Sequence, residues 1–111
     1  LLAVDRQRDI INEEIQSSRK ESLKDFTDLF VESYDKQVEN RFSKNADIKI
    51  AYAVMELFRR RDNIEKYNKK ALYVLIREMT DEKTQDISRV VNTIKRDFKE
   101  KFKQYEQIAQ K

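Results

Sequence analysis

The stretch Ile87-Ser88-Arg89-Val90-Val91-Asn92-Thr93-Ile94-Lys95-Arg96-Asp97-Phe98, prolonged by Phe102 and Tyr105, decides the fold. Its apolar residues recur in steps of three and four. At 100° per residue they return to one side of an α-helix, whereas on a strand they would scatter over both faces. The spacing predicts one long helix from about residue 82 to 108, with Ile87, Val90, Val91, Ile94, Phe98, Phe102 and Tyr105 as its buried stripe.

The same period runs backwards through the chain. Leu72, Leu75, Ile76 and Met79 predict a helix over about 69–79, and Thr80-Asp81-Glu82 then breaks it. Thr80 is read as the cap of the last helix, with the two acids at its positive N-terminus. Asn45 is read as the N-cap of a helix over about 46–61. Ile48, Tyr52, Met55 and Phe58 form its stripe, and Ala51, Val54 and Leu57 widen it. Further upstream, Leu23, Phe26, Phe30, Tyr34 and Val38 line a helix over about 19–42, opened by a capping box of Ser18 and Glu21. An arm over about 1–16 carries Val4, Ile11 and Ile15 and is either separate from that helix or continuous with it. The expected core is Phe30, Tyr52, Leu57, Leu72, Ile76, Val90, Ile94 and Phe98.

Composition agrees. In 111 residues there is no Gly and no Pro, the residues on which tight hairpin turns depend. Charged residues make up 41% and hydrophobic ones 39%, a balance that suits amphipathic helices rather than disorder. The expectation is an all-α fold, a small helical bundle of four to five helices with a long last helix, in one domain over residues 1–111. With no Cys, no disulfide framework is possible. No apolar run approaches the ~20 residues of a membrane span, and the opening Leu1-Leu2-Ala3-Val4, without a basic leader, does not read as a signal peptide. The expected location is cytoplasmic or nucleoid-associated, with no membrane partner.

Enzyme chemistry finds few footholds. Without His or Cys there are no triads, thiol nucleophiles or ordinary zinc sites. Without Gly there is no P-loop, dinucleotide fingerprint or nucleophile elbow. The chain is expected to be no enzyme, with no cofactor and no metal.

Charge is uneven. Residues 1–44 hold 8 Lys/Arg against 10 Asp/Glu, a net of −2, and residues 45–111 hold 16 against 11, a net of +5. A polyanion should therefore meet the C-terminal part. On the last helix, the side opposite the apolar stripe presents Gln85, Arg89, Asn92, Arg96 and Lys103, with Ser88, Lys95 and Lys99 beside them. Arg reads guanine, and Asn or Gln reads adenine, through paired hydrogen bonds in the major groove.

Residues 86–95 resemble the recognition helix of helix-turn-helix regulators of the kind common in bacteria and phages, and Leu72 to Thr80 resemble the supporting helix. The likeness covers 72–95. Asp81 stands where such turns often have Gly, Arg77 where a small residue normally lets the two helices pack, and Glu82 replaces a usual apolar residue. The resemblance implies that Gln85, Ser88, Arg89 and Asn92 face double-stranded DNA, with Arg96 continuing that face, in a transcription or replication accessory factor of phage type.

Two charged clusters complete the reading. Arg59, Arg60, Arg61, Lys66, Lys69 and Lys70, with Tyr67 among them, form either a phosphate-binding patch or a solvated connection whose Arg stems cover the core. Asp25, Asp28, Glu32, Asp35 and Glu39 recur at three- and four-residue steps. Like charges at that spacing do not help the helix. The row, centred on Asp28, Glu32 and Asp35, docks a basic partner, folds back on the basic half, or is a solvated face. A protein partner or a second copy would bind through the N-terminal helices. The alternative to DNA binding is a helical protein-interaction or scaffold module in a larger assembly.

Overall fold

The computed structural model describes the backbone of residues 2–61 and 69–109 and the side chains of residues 22–61 and 69–108. Its four helices are α1 (Leu2–Arg41), α2 (Asn45–Arg59), α3 (Lys69–Thr80) and α4 (Thr84–Ala109), with no strand among the described residues. The arm and the second expected helix are one continuous α1, so Ser18 and Glu21 fall inside it and open no helix. At 1.5 Å per residue a helix of 40 residues is about 60 Å long, and the longest extent of the molecule is 59 Å.

α2 is the hub and touches α1, α3 and α4, while α4 lies against all three of the others. The core joins Phe26, Phe30, Val31, Tyr34, Val38 and Phe42 of the α1 side to Ile50, Ala51, Val54 and Met55 of α2, Ile76 of α3, and Ile87, Val90, Val91 and Ile94 of α4. Of the expected core, Phe30, Ile76, Val90 and Ile94 are buried, and Leu57, Leu72 and Phe98 are half-buried. Tyr52 is a correction. It is 37% exposed and its hydroxyl reaches out to donate to Glu39 Oε1 at 3.4 Å. The buried side of α2 is centred instead on Ile50, Ala51, Val54 and Met55. Leu23 is likewise exposed rather than on the inner face of α1.

The helix ends also differ from the sequence-based expectation. Lys44, with extended backbone and no side-chain cap bond, precedes α2, and Asn45 is already helical. The acid of the first turn is Asp47, a position where negative charge suits the positive helix end. Thr80 belongs to the end of α3: its buried hydroxyl donates to the Ile76 carbonyl at 2.7 Å. Asp81 then turns left-handed, with φ 55°, and its N–H donates to the Arg77 carbonyl at 2.7 Å. This is the stop that Gly commonly makes, and Asp tolerates it better than most residues. α4 starts only at Thr84, and the acid in its first turn is Asp86.

Candidate nucleic-acid interface

α4 is amphipathic over its whole length, so burying its apolar stripe dictates what its other side shows to solvent. At 100° per residue, Gln85, Asn92, Arg96 and Lys103 lie within about 20° of one line along the helix, and all four are exposed. Ser88 is half-buried beside them. Arg77, on α3, is exposed and does not stand between the helices. Glu82, where the resemblance expects an apolar residue, is half-buried and pairs with Lys49 at 3.6 Å.

Arg89 is on the same side but is not free. Its guanidinium bonds the buried Asp47 of α2 and, at 3.0 Å, Asp86 one turn earlier. The hydrogen bond to Asp47 is the main reason the Arg89 pKa rises, and burial opposes it. The pair ties the start of α4 to the start of α2. Asp47 was missed from sequence because an Asp in a first helical turn is fully accounted for by the helix dipole.

The basic cluster divides in the same way. Arg59 binds Asp35 at 2.9 Å and Glu56 at 3.3 Å. Arg60 binds Glu56 at 2.8 Å. Arg61 donates to Asp28 and to the Phe58 carbonyl. Lys69 and Lys70 are exposed, and neither takes part in a described ion pair. Lys69 sits over the Tyr73 ring at 5.7 Å. Lys66 and Tyr67 lie outside the described residues. Two members of the acidic row, Asp28 and Asp35, thus fold back on the chain's own arginines, while Glu32 is exposed between them.

A second polar contact joins α1 to α4. The buried Tyr34 hydroxyl donates to Asp97 Oδ2 at 2.7 Å, and Arg41 Nε donates to the same oxygen at 3.0 Å. Burial, helped by the bond to Asp97, pushes the Tyr34 phenol well above its ordinary value. Burial also pushes the Asp97 carboxyl up, but the bonds from Arg41 and Tyr34 outweigh it and hold it below the usual carboxylate value. Local sequence spacing gives no sign of the partners of Asp97, which lie 56 and 63 residues away.

Among the described residues there is no cluster of three or more acids suited to a metal, and no helix is long and apolar enough to cross a membrane. Comparison with protein-family models, with curated proteins and with solved structures finds no match to this chain.

Proposed function

We propose that the chain is a non-enzymatic DNA-binding protein of helix-turn-helix type, a transcription or replication accessory factor in which α3 supports α4 in the major groove. The observation that carries the reading is the connection between them. Three residues, Asp81 to Lys83, separate α3 from α4, and the first is left-handed at the position where such turns often carry Gly. Helix-turn-helix units join their helices through turns of about this length. The N-terminal part of a recognition helix meets the bases, which assigns Gln85, Ser88 and Asn92 to base edges. Arg96 and Lys103 lie farther along the same line, and Lys69 and Lys70 are the phosphate-holding cations. Arg89 acts chiefly as a positioning residue, since reading a base would mean leaving Asp47.

The test is a duplex titration with the intact protein at about 50 and about 200 mM salt, a range over which phosphate contacts weaken strongly. Binding should be salt-dependent. Neutralising Lys69 and Lys70 to Gln should weaken all duplexes alike. It should also lower the slope of log affinity against log salt by about 0.9 for each phosphate that the lysines no longer neutralise. Asn92→Ala should cost about tenfold or more on a selected site and flatten discrimination, with an unchanged melting temperature. Arg89→Ala should lower both affinity and melting temperature. Absence of salt-dependent binding at the lower salt overturns the reading.

The second reading, an interaction or scaffold module, is favoured by one observation: Arg59, Arg61 and Arg89 are all engaged by carboxylates of their own chain. A protein partner or a second copy of the chain would take the place of DNA in that reading.

A further inference from the structure

Between α2, α3 and α4 lies a half-open cavity of about 680 Å³. Its floor is apolar, with Leu57 and Phe58 of α2, Leu72, Tyr73 and Ile76 of α3, and Phe98 of α4. Of these only Ile76 is fully buried, so the rest keep uncovered apolar surface. Four cations also line it: Arg61, Lys69, Lys95 and Lys99. No carboxylate is among the described lining residues. In a chain with 24 Lys/Arg and 21 Asp/Glu, four charges of one sign around one apolar hollow form a site with a definite complement.

That complement is an apolar body with an anionic end. Lys95 and Lys99 are successive turns of one α4 edge, about 6 Å apart along the axis, and Lys69 opens α3 across the cavity. None of the three takes part in a described ion pair, whereas Arg61 is already held by Asp28 and the Phe58 carbonyl. The volume falls within the roughly 300–1,000 Å³ of small-molecule sites. A stable protein interface instead takes about 800 Å² from each partner, which favours a small amphiphile over a docked acidic helix. We propose that this cavity binds an unesterified long-chain carboxylate, with its alkyl chain along Leu57, Phe58, Leu72 and Phe98 and its head among Lys69, Lys95 and Lys99. The site stands without the DNA reading, with which it shares only Lys69.

The experiment is a fluorescence titration of the full chain with a dansyl-labelled undecanoate, followed by displacement with palmitate below its micelle concentration. Saturable binding of one probe per chain is expected, with displacement by palmitate and none by hexadecylamine. The double variant Lys95→Glu/Lys99→Glu, at two exposed positions, should melt like the parent. It should bind the probe about tenfold more weakly, the order of loss for a charge-assisted hydrogen bond, and Lys95→Arg/Lys99→Arg should restore binding. The proposal is overturned if the probe does not saturate, if amine and carboxylate compete equally, or if palmitate associates only when presented in vesicles. It is also overturned if an acidic amphipathic peptide binds the cavity and palmitate does not.

Discussion

Phe98 of α4 faces two different neighbourhoods. Towards α1 it meets Phe26 edge-on at 5.1 Å and Phe30 at 5.0 Å, and Phe102 and Tyr105 continue the seam, each within 5.3 Å of the Phe26 ring. Towards α2 its nearest ring is Phe58, at 6.3 Å, and there the helices part around the lysine-lined cavity. Both sides use the same helix and the same period. What differs is how far the residues opposite are covered: the buried rings of Phe26 and Phe30 close the first seam, while Leu57, Phe58, Leu72 and Tyr73 stay half-buried around the second. Rings bury about 150–250 Å² each and gain further from edge-on and offset arrangements. The closed seam therefore supplies more stability, and the open one is free to hold something else.

The largest effect should come from breaking the closed seam. Phe30→Ala should cost about 3–5 kcal/mol, read by urea unfolding. Leu72→Ala, at the half-buried edge of the cavity, should cost clearly less. Equal losses would mean that the two seams are energetically alike.

A smaller effect is expected from the polar contact beside that seam. Asp97→Asn removes the charge on which the Tyr34 hydroxyl and the Arg41 guanidinium converge, and it should cost about 1–3 kcal/mol. The pH dependence follows from the directions of the shifts. The Asp97 carboxyl is held below its ordinary value of 3.8 in the folded chain. Its contribution is complete above that value and is lost as pH falls through the lowered folded value. The Tyr34 phenol is raised above its ordinary 10.0, so its contribution is complete below that value and lost as pH rises towards the folded one. Stability of the parent minus that of Asp97→Asn should therefore shrink in acid and stay flat across neutral pH. A difference independent of acid pH would detach Asp97 from the stability of the seam.

The helices and the α4 stripe were legible in sequence because their apolar residues repeat at one period with charged residues between them. α2 was harder. Ile48, Ile50, Ala51, Tyr52, Ala53, Val54, Met55, Leu57 and Phe58 leave hardly a polar side. Two stripes fit equally well, and only the positions of α1, α3 and α4 choose Ile50 over Tyr52. The break after α3 was legible but its chemistry was not: Asp81 supplies the left-handed residue and Thr80 closes the helix behind it. The solvent side of α4 was legible residue by residue. The partner of Arg89 was not, because a contact 42 residues away has no local signature. The cavity had none either, since residues of three separate helices must come together to line it.

The smallest effect concerns the acidic row of α1, and it sharpens the contrast between the arginines held by carboxylates and the lysines in no described ion pair. Asp28 and Asp35 hold Arg61 and Arg59, whereas Glu32, one turn from each, takes part in no described ion pair. Exposed pairs of this kind contribute about 0–1 kcal/mol each and weaken as salt screens them. Asp28→Asn/Asp35→Asn should therefore lower the melting temperature only slightly, and less at high salt. Its consequence for DNA is larger in kind. The double change frees Arg61 of its carboxylate and leaves Arg59 with Glu56 alone, so on the proposed function duplex affinity should rise and its salt dependence steepen. Glu32→Gln is the control. It removes a negative charge from the same helix face without releasing an arginine, so it should raise affinity by the general field alone and leave the slope as it was. If Glu32→Gln matches half the effect of the double variant, the field of α1 matters and the pairing does not. If the double variant steepens the slope and Glu32→Gln leaves it unchanged, α1 restrains the basic cluster through those two arginines.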